Sequence, residues 1–131
     1  GPEEQESLRQ IQEQTGSPAL VVAQCDTLKK TGALMTRCHS FLSVDTALMH
    51  VAAALRVPGQ IVIEAPTLNQ TNLPYRNPHT LVANPTVAGK NLDYYRYDGK
   101  GIKGTPEQLV RCMASVSVES VYDAVRKTLR A

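Results

Sequence analysis

The segment that most constrains the fold of this chain covers residues 40–55. Residues 40–44 are mainly apolar and predict a short buried strand. Residues 45–56 are apolar nearly all round and predict a buried helix. Asp45 and Thr46 lie at the joint between the two. A strand that passes directly into a helix is typical of an open α/β sheet, and the joint lies at the carboxyl end of the strand, where such sheets bind ligands and phosphates.

Apolar runs and helical patterns alternate along the rest of the chain. Predicted helices cover residues 3–14, 26–36 and 45–56, and two more begin at Thr105 and Ser117. The first of these two starts with a predicted capping box of Thr105 and Gln108. The second has one predicted apolar face, formed by Val118, Val121, Tyr122, Val125 and Leu129. Predicted strands cover residues 19–23, 40–44, 61–63 and 80–83. This alternation predicts an α/β fold with a Rossmann-like parallel sheet and flanking helices. Because such a fold normally opens on a strand and this chain opens on a helix, we expect the sheet to lack its first strand.

Length and composition exclude several classes of function. A chain of 131 residues predicts one domain over residues 1–131. The formal net charge is only +2 and no basic run stands out, so no nucleic acid partner is expected. No apolar run approaches the ~18 residues that a membrane span needs. The three cysteines are widely spaced, which indicates free thiols in a reducing cytoplasm and neither a disulfide framework nor a zinc site.

The joint itself is the first candidate site. An Asp or Thr at a helix start can simply cap the helix. Here the flanking strand and helix are both predicted to be buried, so we expect the N–H groups of Thr46 and Ala47 to point over the sheet edge, where a pyrophosphate can approach. His50 lies on the same helix as Asp45. A lone His on an apolar helix is more often a core residue, but this one is near enough to the helix start to reach a phosphate or hydroxyl.

Three weaker features each admit two interpretations. Glu64 follows the third predicted strand and is either a site carboxylate or an ordinary strand-end residue. Residues 99–104 are rich in glycine and hint at a phosphate cradle, but they lack the Walker pattern, which favours a basic loop. Tyr94, Tyr95 and Tyr97 either pack on the domain or belong to an acceptor surface, and packing is favoured.

Residues 43–55, which read Ser-Val-Asp-Thr-Ala-Leu-Met-His-Val-Ala-Ala-Ala-Leu, carry a family resemblance. They resemble the signature of the family 9 glycosyltransferases, the lipopolysaccharide heptosyltransferases, which is roughly Asp-Thr-Gly-x-x-His-x-x-Ala-Ala-Leu. Shorter likenesses at residues 1–4, 64–67 and 115–121 extend the resemblance over nearly the whole chain. Gly1-Pro2 is then a native turn of the family, although on composition alone it is equally a scar from an expression tag.

The resemblance implies a GT-B arrangement, in which two Rossmann-like domains face a cleft. This chain would be the carboxy-terminal domain, which binds a nucleotide sugar such as ADP-heptose. A missing amino-terminal domain would bind the glycan or lipid-linked acceptor and supply the catalytic base, so no catalytic residue is expected in this chain. The parent would be a bacterial, cytoplasmic glycosyltransferase, peripheral at the inner membrane, that transfers a heptose or related sugar to lipopolysaccharide core or another glycan. No metal or other cofactor is expected.

The resemblance also implies roles for single residues. Asp45 would hold a hydroxyl of the donor sugar, and the Thr46 and Ala47 amides would hold the diphosphate. The substrate-binding residues implied in this way are Asp45, Thr46, Ala47, Met49, His50 and, near the adenine pocket, Thr27. Ala47 departs from the family pattern, which has Gly there, and its methyl group would narrow the approach of the phosphate or change the donor.

Two other functions fit the same residues. One is a non-catalytic Rossmann-like module used for interaction, since a missing strand leaves an open sheet edge that favours self-association. The other is a different GT-B-like enzyme that uses a nucleotide sugar, such as an epimerase.

Overall fold

A computed structural model of the chain describes residues 4–66, 72–87 and 104–130. The helices are α1 (Gln5–Thr15), α2 (Leu28–Met35), α3 (Ala47–Ala54), α4 (Pro106–Met113) and α5 (Val118–Arg130). The strands are β1 (Phe41–Ser43), β2 (Gln60–Ile63) and β3 (His79–Val82). The chain divides into two compact units, Gly1–Thr31 and Gly32–Ala131. The single domain expected over residues 1–131 stays a prediction.

Some predicted features lie outside the described residues. They are the turn at Gly1-Pro2, Thr67 of the predicted family likeness, residues 99–103 of the glycine-rich loop, and Tyr94, Tyr95 and Tyr97.

Helix α1 of the first unit forms where the sequence predicts it. Arg9 lies between two glutamates on the exposed helix surface and makes ion pairs with Glu6, at 2.6 Å, and with Glu13. The Arg9 side chain is the main reason that the pKa of the Glu6 carboxyl lies below its ordinary value. Gly16 ends the helix in the left-handed conformation, with its N–H donating to the Gln12 carbonyl at 3.1 Å.

The buried strand predicted at residues 19–23 is wrong. These residues form no strand, and Val21 is 77% exposed. An extended apolar run becomes a strand only where a neighbouring strand accepts its backbone hydrogen bonds. The described part of the first unit contains no strand that could do so.

The second unit contains a three-stranded parallel sheet in the order β1-β2-β3. Successive residues of β2 face opposite sides of this sheet. Val62 packs against Met49 of α3, whereas Ile61 and Ile63 belong to a cluster with Ala124 of α5. Helices therefore cover both faces, which confirms the predicted α/β fold with a parallel sheet and flanking helices.

Gly59 joins α3 to β2 through a turn that excludes a larger residue. Its φ is 61°, in the left-handed region. A Cβ atom at this position would lie 3.0 Å from the His39 carbonyl oxygen and would clash with the Thr128 side chain. The Gly59 carbonyl also accepts a hydrogen bond from the Phe41 N–H at 3.2 Å, which ties the start of β2 to the start of β1.

The last two helices begin where the sequence predicts, directly after Thr105 and Ser117, but the environment of one predicted face differs. Helix α4 begins with the predicted capping box, formed by Thr105 and Gln108. In α5 the buried centre is Ala124. The predicted apolar face is split, because Val118, Tyr122 and Leu129 are exposed while Val121 and Val125 pack beside Ala124.

Candidate functional site

The three strands end at one edge of the sheet because they are parallel. Their last residues are Ser43, Ile63 and Val82. The chain that leaves β1 reaches α3 within three residues, so the start of α3 lies at this edge. This is the place at which α/β sheets bind ligands, and the sequence predicts its site at the same joint.

The joint leaves the start of α3 open. Thr46 occupies the cap position with φ −143° and ψ 164°, but its side chain makes no capping hydrogen bond. Thr46 and Ala47 are exposed, and Asp45 is half-buried. The first N–H groups of a helix have no acceptor within the helix, and the helix dipole makes this end positive. Of the two residues that could serve only as a helix cap, Asp45 and Thr46, the Thr46 side chain therefore does not do so.

His50 lies on the exposed side of α3. It follows Ala47 by three residues, so the two share a helix face. The core positions of α3 are Met49, Ala52 and Ala53 instead. His50 is thus not the core residue that a lone His on an apolar helix usually is, and it lies one turn from the open helix start.

Met49 is placed differently from its neighbours in the predicted binding set. Its side chain is completely buried against Val62 and Leu73. Its carbonyl oxygen accepts a hydrogen bond from the Gln60 side chain at 2.8 Å. The side chain of Met49 therefore belongs to the core beneath the joint, where it supports α3, and its predicted contact with substrate stays a prediction.

Thr27 belongs to the other compact unit. It lies just before α2, where its hydroxyl oxygen accepts a hydrogen bond from the Lys30 N–H at 3.2 Å. This is the geometry of a helix cap. The predicted contact of Thr27 with an adenine pocket stays a prediction.

Two further polar groups lie at the edge: Ser43, which the sequence does not single out, and Glu64, which the sequence leaves open between a site carboxylate and a strand-end residue. The Ser43 hydroxyl oxygen, at the end of β1, is buried and has no hydrogen-bond partner within the described ranges. Glu64 follows β2 and is half-buried. Its N–H continues the ladder by donating to the Val82 carbonyl at 2.9 Å, and its Oε2 accepts from the Asn84 N–H at 2.9 Å.

Asn84 follows β3 and connects the sheet edge to neighbouring segments through hydrogen bonds. It is completely buried, and its Nδ2 donates to the Cys112 carbonyl at 3.1 Å. Its Oδ1 accepts from the Thr86 N–H at 2.9 Å and from the Ser115 hydroxyl at 2.9 Å. A signal for this role exists in the sequence, since Asn directly after a strand commonly bonds to the backbone two residues on.

An apolar groove lies away from this edge site. It has a volume of about 430 Å³ and runs along α5, with Val116, Val121, Tyr122 and Val125 among its lining residues. It lies on the α5 face of the sheet, whereas the joint leads into α3 on the other face. A lining so poor in polar groups does not suit a diphosphate, so the groove is not the candidate site.

Metal ligation and membrane insertion find no support in the part of the chain that the structure describes. It contains no group of three or more His, Cys, Asp and Glu residues that could hold a metal ion. No helix in it is long and apolar enough to cross a membrane.

One comparison with known proteins gives a match. The family described as glycosyltransferase family 9 (heptosyltransferase) matches residues 1–99, a range that includes β1, α3, β2 and β3. No curated protein and no solved structure matches the chain.

Proposed function

Since the chain belongs to glycosyltransferase family 9, we propose that it is the domain that binds the nucleotide-sugar donor of a glycosyltransferase. Its family implies glycosyl transfer by the parent protein and the GT-B arrangement. The observation that carries the donor-binding role is the open start of α3 at the carboxyl edge of the sheet, inside the range that matches the family.

In the proposed complex the donor diphosphate lies at the start of α3. The N–H groups of Thr46 and Ala47 donate to its oxygens, aided by the helix dipole. His50 lies one turn away and contacts the same group, while Asp45 accepts a hydrogen bond from a hydroxyl of the sugar. The family description names heptosyl transfer, so the proposed donor sugar is a heptose. ADP is the proposed nucleotide, as the family resemblance implies.

Transfer would then proceed by direct displacement. A hydroxyl of the acceptor attacks the anomeric carbon, the bond from that carbon to the diphosphate breaks, and a base outside this chain takes the hydroxyl proton. The backbone amides at α3 stabilise the charge that develops on the leaving diphosphate, so no metal ion is required. A lipopolysaccharide core or another lipid-linked glycan is the proposed acceptor, and such a substrate would bring the enzyme to the surface of the inner membrane.

Calorimetry with ADP-heptose tests the donor site. We expect the purified protein to bind ADP-heptose, and Asp45→Ala to weaken binding by about 10- to 150-fold, because a hydrogen bond to a charged group is worth about 1.5–3 kcal/mol. Asp123→Ala, at an exposed aspartate of α5, is the matched control and should bind like the wild type. Absence of affinity in the wild type, or unchanged affinity in Asp45→Ala, would contradict the proposal.

A further inference from the structure

Glu64 is an acidic residue on the strand next to the one that leads to Asp45. Ser43 of β1 pairs with Val62 of β2, and Asp45 and Glu64 each follow these partners by two residues. Neighbouring strands lie about 4.8 Å apart. The two acidic residues therefore leave the sheet from adjacent positions of the same edge.

The Glu64 carboxylate is anchored at one oxygen. Its Oε2 accepts the hydrogen bond from the Asn84 N–H, whereas Oε1 has no hydrogen-bond partner within residues 4–66, 72–87 and 104–130. The residue as a whole is half-buried. A carboxylate held in this way presents one fixed acceptor to a ligand.

The anchor itself is rigid. Asn84 is completely buried, and both ends of its side chain are hydrogen-bonded, to Cys112 on one side and to Thr86 and Ser115 on the other. These bonds fix the backbone N–H that holds Glu64. A preorganised acceptor loses less entropy on binding than a mobile surface glutamate would.

A second polar group near this edge is the Ser43 side chain. The hydroxyl of Ser43, on the strand beside Val62, is buried without a partner among the described residues. Buried polar groups are almost always satisfied, and an unsatisfied one calls for a specific explanation. Because this oxygen is fully buried, a ligand at the edge does not reach it, so Glu64 and not Ser43 is available to a ligand there.

We propose that Glu64 is a specificity-determining residue of the donor site, where its Oε1 accepts a hydrogen bond from a hydroxyl of the donor sugar. This inference rests on the proposed function. A carboxylate repels a diphosphate and is a strong acceptor for hydroxyl groups. The diphosphate therefore faces α3, and the sugar extends along the edge towards β2. There Glu64 selects for a sugar that carries a hydroxyl group at the position that Oε1 reaches.

The test compares ADP with ADP-heptose by calorimetry on the purified protein. We expect Glu64→Gln to weaken ADP-heptose binding about tenfold while ADP binding changes less than about twofold, because only the sugar reaches Glu64. The glutamine amide oxygen can still accept the Asn84 N–H, which preserves the anchor. Glu64→Ala should lose at least as much affinity for ADP-heptose. Glu119→Gln, at an exposed glutamate of α5, is the matched control and should behave as wild type.

The outcomes separate the two proposals. If the wild type binds ADP and Glu64→Gln changes both affinities equally or neither, the role of Glu64 is wrong and the donor site stands. If the wild type binds neither ligand, both proposals are wrong. If the effect of Glu64→Gln disappears on addition of EDTA, Glu64 acts through a bound cation, which also overturns the hydroxyl contact.

Discussion

At the scale of single residues, Gly59 combines two demands that only glycine meets. Its φ of 61° is unfavourable for residues with a side chain, and the space where a Cβ would lie is taken by His39 and Thr128. These two neighbours belong to the chain before β1 and to α5, so the turn is also a point of close packing. A substitution here disturbs the link between the end of α3 and the start of β2.

We predict that Gly59→Ala lowers the free energy of unfolding by about 2 kcal/mol, the cost of the left-handed conformation plus displacement of Thr128. Urea denaturation of the variant and the wild type measures this difference in the free energy of unfolding. Gly32→Ala is the control, because its Cβ would meet only Leu55, at an ordinary 3.6 Å, within a helix. That variant should be neutral or slightly more stable. Equal stability of Gly59→Ala and wild type would show that the turn tolerates a side chain.

The residues at the joint and at the neighbouring sheet edge differ in how well the sequence alone predicts their positions. Asp45, Thr46 and Ala47 are predictable because strand, joint and helix are consecutive in the chain, and local pattern suffices. The burial of Met49 follows from the same helical pattern. Met49 also lies within the segment that resembles the family signature, which favoured a binding role over a core position. The link between Glu64 and Asn84 joins residues 20 apart, and the bond from Ser115 to Asn84 spans 31 residues. Such contacts depend on tertiary packing, which sequence periodicity does not encode.

At the scale of elements, the start of α4 shows a cap that acts through charge as well as through hydrogen bonds. The Thr105 hydroxyl accepts from the Gln108 N–H, and the Gln108 side chain accepts from the Thr105 N–H at 2.8 Å. The pKa of the Glu107 carboxyl lies below its ordinary value, first because of its own backbone N–H and then because of the Thr105 side chain. A lowered carboxyl pKa means that the folded state favours the charged form.

We predict that Thr105→Ala destabilises the protein by about 1 kcal/mol near neutral pH, the usual value of a helix cap. Part of this stability difference between Thr105→Ala and the wild type should disappear at acidic pH. The contribution of Glu107 is fully present above the pKa of the unfolded chain and is lost as the pH falls through the lower pKa of the folded state. Thermal unfolding from pH 7 to pH 2 measures the difference. Thr105→Ser keeps the hydroxyl and should follow the wild type, whereas a deficit that grows in acid would contradict this account.

Among the elements, those with strong local signals are predictable to within about two residues. Helices α1, α3 and α4 carry acidic first turns, apolar faces or a capping box, and the sequence places all three. Residues 19–23 carry an equally apolar signal and form no strand, because strand formation also needs a partner strand. The split face of α5 has a similar origin. The sequence shows the apolar stripe, but it does not show how much of that stripe the small sheet covers.

At the scale of the whole molecule, the family match and the fold describe different parts of the chain. The match ends at residue 99, before α4 and α5, yet both helices contribute to the second unit. Helix α5 packs on β2 and β3 through Ala124, and α4 supplies the carbonyl that Asn84 binds. The stability of the sheet edge at Glu64 and Asn84 therefore depends on residues beyond the family match. Self-association through an open sheet edge stays a prediction.

The central claim is that a nucleotide diphosphate binds at the start of α3, and amide chemical shifts test it most directly. On titration with ADP, ¹H–¹⁵N spectra of the ¹⁵N-labelled protein should show the largest shifts at Thr46 and Ala47, because their N–H groups donate to the phosphates. The N–H groups of Val118 and Glu119 begin α5, another helix with exposed first residues, and they should not move. Shifts centred on α5, or no shifts at saturating ADP, would contradict the account.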